Sequence, residues 1–144
     1  MEIQGISEMS AHAARFITDL PPRKDTATIV TLSGDLGAGK TTLTQGIARA
    51  LGVEETVTSP TFVLEKSYEL TGQKWSRLIH IDAYRLVSEH ELEVLGWREM
   101  AQDPANLIVI EWPEMVVELI PADAIRITLS GDGDVRELSI GRTL

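Results

Sequence analysis

Thr28-Ile29-Val30-Thr31-Leu32-Ser33-Gly34-Asp35-Leu36-Gly37-Ala38-Gly39-Lys40-Thr41-Thr42 decides how this chain is read. Thr28 to Leu32 is a short apolar and β-branched run, the composition of a buried strand. Gly34, Gly39, Lys40 and Thr41 then fit the pattern Gly-x4-Gly-Lys-Ser/Thr. In that pattern the glycines let successive backbone N–H groups converge on phosphate oxygens, and the helix that follows adds the positive end of its dipole. The Lys40 ammonium reaches the β- and γ-phosphates, the Thr41 hydroxyl ligates Mg2+, and Thr42 is placed to add another hydroxyl. Asp35, Leu36, Gly37 and Ala38 complete the cradle. An accidental glycine-rich turn would match the fixed positions in roughly 0.5% of chains this long. It would not also bring an apolar strand before it and an amphipathic helix after it.

Outward from the loop, Leu43, Ile47 and Leu51 share one face of the following helix, with Gly52 as its C-terminal stop. Upstream, Met9, Ala13, Phe16, Ile17 and Leu20 recur at helical spacing; Ser7 is placed to cap that helix and Pro21-Pro22 to end it. Downstream, Ser59-Pro60 breaks the chain. Phe62 to Leu70 and Arg77 to Asp82 read as a hairpin turning near Thr71-Gly72. Ser88-Glu89-His90-Glu91 is a capping box opening a helix through Leu92, Leu95 and Met100, which Asp103-Pro104 stops. Leu107 to Ile110 is a buried strand. Ile125, Ile127 and Leu129 pair with Val135 to Ile140 across Gly131-Asp132-Gly133. Strands alternating with helices predict a single α/β domain over residues 1–144, a P-loop NTPase-like three-layer fold with a mostly parallel central sheet and antiparallel hairpin additions.

Composition agrees and excludes other classes. The chain has 144 residues, 43% hydrophobic and 24% charged, an ordinary globular balance. No run approaches the ~20 apolar residues of a membrane span, and Met1 to Gly5 does not read as a secretory signal. With no cysteine there is no disulfide, thiolate metal site or cysteine nucleophile. A net charge of −9 rules out a broad basic face for nucleic acid, so any service to RNA is expected to run through another protein.

Two apolar runs end in an acid: Leu78-Ile79-His80-Ile81 in Asp82 and Leu107-Ile108-Val109-Ile110 in Glu111. An acid after a buried strand is the Walker B arrangement, where a carboxylate holds Mg2+ directly or through water. Either acid can instead orient an attacking water; sequence does not divide the two roles. A lone acid there is usually a solvated strand end, but a pair behind one phosphate loop is expected to work on its ligand. Ser59-Pro60-Thr61-Phe62 reads equally as a switch whose hydroxyl senses the γ-phosphate and Mg2+ or as a plain proline turn.

Gly34-Asp35-Leu36-Gly37-Ala38-Gly39-Lys40-Thr41-Thr42, Ser59-Pro60-Thr61-Phe62, His80-Ile81-Asp82-Ala83-Tyr84-Arg85-Leu86 and Glu111-Trp112-Pro113-Glu114 together resemble the TsaE family, in order and spacing, from about residue 7 to residue 140. The resemblance implies a bacterial cytoplasmic ATPase, monomeric alone, that binds ATP and Mg2+ and serves the making of N6-threonylcarbamoyladenosine at position 37 of tRNAs reading codons that begin with A. It implies TsaB and TsaD as partners, with TsaD carrying out the carbamoyl transfer, tRNA reached through that complex, and hydrolysis driving or resetting it. Carried over by position, Lys40 and Thr41 hold phosphate and Mg2+, Asp82 and Glu111 are the acidic metal and catalytic residues, and Ser59 to Phe62 is a mobile switch-like segment. Trp112 matches an aromatic beside the site, while Glu8 and Arg136 match positions near the adenine. Ala83 departs from the larger apolar residue the family often carries there, with no chemical consequence.

Other residues read as structural. His80 is expected to be a packed or hydrogen-bonded core histidine; His12 and His90 lie on helix surfaces, and the three have no metal-ligand spacing. Trp75 and Trp97 are expected to pack. Tyr84-Arg85 fits a partner contact or an ion pair with Glu89, and Glu89, Glu91 and Glu93 form a solvated face or meet a basic partner. A small-molecule kinase needs a basic lid, and no Lys or Arg stands between Arg98 and Arg126. A nucleotide-gated binding module does not need Glu111 as a second acid. A GTPase is disfavoured because the Asn-Lys-x-Asp motif of known GTPases is absent.

Overall fold

The computed structural model describes residues 2–34, 39–55, 65–86, 89–131 and 135–142, with the side chains of Arg85 and Arg142 also outside the description. Chain order is β1 (Glu2–Gln4), α1 (Gly5–Asp19), β2 (Thr28–Ser33), α2 (Lys40–Ala50), β3 (Glu65–Glu69), β4 (Arg77–Asp82), a 3-10 turn (Ala83–Arg85), α3 (Glu89–Val94), α4 (Trp97–Gln102), β5 (Asn106–Glu111), a 3-10 segment (Pro113–Leu119), β6 (Ile125–Ser130) and β7 (Val135–Arg142).

The strands form one sheet in the order β1-β7-β6-β2-β5-β4-β3. Its centre is parallel: β2 pairs with β5 and β6, and β4 pairs with β5. Both expected hairpins add antiparallel edges, β3 on β4 and β7 on β6. Central strands covered on both faces must be apolar throughout, and all six residues of β5 are buried.

Side-chain alternation sorts the core into two layers. Val30, Leu32, Leu78, Leu107 and Val109 face α1 and α2, packing on Ala13, Ile17, Leu43 and Ile47. Ile29, Ile79, Ile81, Ile108 and Ile110 face the other way, onto Leu92, Trp97 and Val116. Helices α1 and α2 approach so closely that a Cβ on Gly46 would lie 2.9 Å from Ala13 Cβ. The α2 C-terminus closes as expected: Gly52 takes φ +85°, and Val53 and Gly52 N–H donate to Ala48 and Arg49 carbonyls at 3.0 Å each, the Schellman pattern.

Two expectations are corrected. Helix α1 starts at Gly5, not after Ser7, and its N-terminus is held by Glu8, whose Oε2 accepts from the Gln4 N–H at 2.8 Å; a carboxylate in the first turn also suits the dipole. The helix drawn through Leu95 to Met100 is two, α3 and α4, because Gly96 adopts φ 97° between them. The capping residue expected for α3, Ser88, lies outside the described residues. Residues 2–4, which carry no strand signal by themselves, pair antiparallel with β7, Ile3 opposite Arg136.

Both tryptophans expected to pack are buried, and Trp75 Nε1 donates to Thr28 Oγ1 at 3.2 Å. The α1 C-terminus is closed by Lys74, whose Nζ donates to the carbonyls of Ile17, Thr18 and Leu20 at 3.1, 2.8 and 2.9 Å.

Candidate nucleotide-binding site

Strand β2 sits between β6 and β5, so its C-terminal end opens at the point where the sheet grows in both directions, the position where open α/β sheets bind ligands. There Gly39 takes φ 106° as the residue before α2, and its carbonyl accepts the first helical bond, from Leu43 N–H at 2.9 Å. Left-handed backbone at that position is open to glycine and strained for other residues. Lys40, Thr41 and Thr42 follow in the first turn of α2. Asp35, Leu36, Gly37 and Ala38 lie outside the described residues, as do Ser59, Pro60, Thr61 and Phe62.

Lys40 is 5% exposed. Its Nζ donates to the Gly34 carbonyl across the loop and lies 4.2 Å from the Trp112 ring centroid. An ammonium over an indole face is attracted by the ring quadrupole and most strongly so when desolvated. Trp112 reaches that place through an unusual backbone: at φ 61°, ψ 54° it is the one non-glycine at positive φ among the described residues. Its N–H donates to Leu32 O at 3.2 Å, and its ring lies 4.8 Å from that of Tyr84. Strained backbone of this kind concentrates at working sites. Ser33 Oγ, at the end of β2, donates to Glu114 Oε1 at 2.7 Å, tying the root of the loop to the segment after Trp112.

The two acids come together as expected. Parallel pairing puts Asp82 opposite Glu111 and Glu111 opposite Leu32, so one row across three strands ends beside the loop on the face that carries α2. Asp82 is 8% and Glu111 3% exposed. Asp82 Oδ1 accepts from Tyr84 N–H at 3.0 Å, which starts the 3-10 turn. Thr41 Oγ1 stands 3.5 Å from Glu111 Oε1. Glu111 Oε2 is 2.5 Å from His80 Nε2, and His80 is fully buried. Of the two expectations for His80, a packed or a hydrogen-bonded core histidine, the hydrogen-bonded one is found, and its partner being Glu111 is what sequence did not tell. Period-two alternation puts His80 on the face of Asp82, but only the adjacency of β4 and β5 brings it to Glu111.

The donors fit a hard cation: a hydroxyl and two carboxylates offer oxygen. Among the described residues no group of three or more His, Cys, Asp or Glu side chains forms a protein cage for a metal. Such a set suits Mg2+ that arrives with phosphate oxygens completing its shell. Of the residues matched to the adenine side, Arg136 lies beside Gly39, where a Cβ would sit 3.7 Å from Arg136 Nε and 3.3 Å from Met9 Cε. Glu8 is one residue from Met9, exposed, and occupied with the start of α1. A cavity of about 770 Å3 lies at the opposite end of the sheet, among Pro22, Arg23, Trp97 and Asp123. It takes in the start of β2, away from the strand ends that carry Asp82 and Glu111.

The family model "Threonylcarbamoyl adenosine biosynthesis protein TsaE" matches residues 4–138. A tRNA threonylcarbamoyladenosine biosynthesis protein TsaE of Borreliella burgdorferi is 34% identical over 142 residues, covering 96% of this chain and 98% of that protein. The protein of that name from Streptomyces coelicolor is 44% identical over 102 residues, covering 70% of this chain and 67% of that one. The crystal structure of Bacillus subtilis YdiB superposes with a TM-score of 0.77 at 27% identity, covering 100% of this chain and 84% of that one. With a family model over most of its length and relatives matching nearly from end to end, the chain belongs to the TsaE family.

Proposed function

We propose that this chain is a Mg2+-dependent ATPase of tRNA threonylcarbamoyladenosine biosynthesis, acting on partner proteins of the TsaB and TsaD kind and reaching tRNA through them. The family membership supports the pathway. One observation carries the chemistry: the Thr41 hydroxyl at the head of α2 stands 3.5 Å from the buried Glu111 carboxylate, with Asp82 paired beside it on the next strand. A domain that only gated binding would have no use for two desolvated acids at a phosphate loop.

Each residue then has a task. The loop amides and α2 dipole bind the phosphates of an anion that the net charge of −9 otherwise repels. Lys40 exchanges the Gly34 carbonyl for phosphate oxygen. Thr41 and Asp82 hold Mg2+, which when bound would neutralise charge on the transferring phosphoryl group. Glu111 orients the attacking water. Ser59 to Phe62 would sense the γ-phosphate, so that hydrolysis alters the surface offered to partners.

Turnover by the chain alone is expected to be slow, since a transition-state cation supplied by a partner is worth about 10³–10⁵ in rate. The test is ATP turnover with and without purified partner proteins. Lys40→Ala should lose nucleotide affinity, and Glu111→Gln should keep affinity and lose turnover. Equal hydrolysis by wild type and Glu111→Gln at every partner concentration would reject the enzyme in favour of a binding module. Appearance of a phosphorylated small molecule would make it a kinase.

A further inference from the structure

We infer that His80 is a positioning residue for Glu111, fixing which carboxylate oxygen faces the phosphate loop. The inference rests on the ATPase reading for its consequence, but its structural basis stands apart from it. His80 is fully buried on β4, with Lys66 and Val109 as its register neighbours. Its Nε2 lies 2.5 Å from Glu111 Oε2, while Nδ1 has no hydrogen-bond partner among the described residues.

That asymmetry fixes the proton. With hydrogen on Nε2 the ring donates to a carboxylate and leaves an acceptor nitrogen unused, the less costly orphan. With hydrogen on Nδ1 in the other tautomer, Nε2 could not donate to the carboxylate and a buried donor would have no receiver among the described residues. The tautomer that donates from Nε2 is therefore the one the geometry assigns.

The consequence falls on Glu111. The last torsion of a glutamate is broad and nearly two-fold, so packing alone holds its carboxylate plane poorly. One short bond to an anionic acceptor is stronger than a neutral one. Anchored through Oε2, the group keeps Oε1 toward Thr41, 3.5 Å away. A carboxylate that orients water must be held in angle as well as place, and loss of that angle lowers kcat with little effect on nucleotide binding.

Four variants and the ring nitrogen signals test this. His80→Leu keeps bulk and removes the donor; it should lower kcat about 10–100-fold, the usual cost of losing such a support, with KM for ATP held within about three-fold. His80→Gln places an amide N–H near the former Nε2 and should recover most of that loss, because the missing Nδ1 had no partner. Adding Glu111→Gln to His80→Leu should cost nothing beyond Glu111→Gln alone, as for residues that act as a unit. Independently of ATP and Mg2+, the ring 15N signals of His80, assigned against His12 and His90, should show hydrogen on Nε2. Glu111→Gln should shift the Nε2 signal.

Unaltered kcat in folded His80→Leu, or equal loss in His80→Gln and His80→Leu, overturns the inference. So does an unprotonated Nε2, which also decides the matter if His80→Leu fails to fold. A wild-type chain that turns over no ATP with partners present refutes the ATPase reading instead, and the nitrogen spectrum then still decides the His80–Glu111 bond.

Discussion

Trp112 carries two opposed effects in one residue. Its left-handed backbone costs roughly 1–2 kcal/mol for an L side chain, while its ring gains contact with the Lys40 ammonium and with Tyr84. The usual order, in which glycine is worse than alanine, should therefore reverse here. Both Trp112→Ala and Trp112→Gly lose the ring, but only alanine keeps the backbone penalty. Trp112→Gly should be more stable than Trp112→Ala by about 1 kcal/mol, read as a higher urea midpoint at matched slope. An alanine variant as stable as the glycine variant would mean that the chain relaxes out of φ 61° once the ring is gone. Nothing in the sequence marks this position, because a positive φ at tryptophan is imposed by tertiary contact and contradicts local preference.

At the scale of elements, the packing of α1 on α2 depends on Gly46. Glycine inside a helix sacrifices about 1 kcal/mol of propensity relative to alanine, and here it allows Ala13 to sit against the helix backbone. Gly46→Val should lower stability by about 1–3 kcal/mol through overpacking, visible as a lower thermal midpoint. On the proposed function, the loop ahead of α2 binds the phosphates of ATP, so the same variant should also weaken ATP affinity. Unchanged affinity in a destabilised variant would show that the loop is held by β2 alone.

Elements also show what the sequence could tell. Strands β2, β4 and β5, helix α2 and its Gly52 stop were legible because composition, period and punctuation agreed. The break at Gly96 was not, since an isolated glycine in a helical pattern is often tolerated. Nor was β1, too short to show alternation and formed only because β7 offers an edge. The candidate site divided the same way. Lys40, Thr41, Asp82 and Glu111 could be named from motif and strand ends, whereas the His80–Glu111 and Ser33–Glu114 pairs join residues far apart in sequence, and only strand order brings them together.

For the molecule as a whole, an acidic chain should respond to pH through those carboxylates that folding disturbs. Glu65, at the edge of β3, is pushed above the ordinary carboxylate range by burial, with a hydrogen bond from Ser67 pulling the other way. A raised acid favours its protonated form in the fold. Its stabilising contribution is fully present below the unfolded value near 4.5 and disappears as pH rises through the higher folded value. Glu65→Gln should thus be more stable than wild type at pH 7, with the difference shrinking as pH falls through the raised folded value toward 4.5 and levelling off below it. Thermal midpoints across that range measure it; a constant difference would show that Glu65 is not the group responsible.

The pairing of β1 with β7 bears on how the protein is handled. β7 carries Arg136 to the flank of Gly39, and the residues that close β7's outer edge are Glu2–Gln4. A fusion tag or proteolytic nick ahead of Gly5 therefore acts on a seam that leads straight to the nucleotide cradle. Trimming it would bare backbone donors and acceptors next to the exposed Val135 and Ile140, an invitation to self-association that is easily mistaken for a property of the native protein.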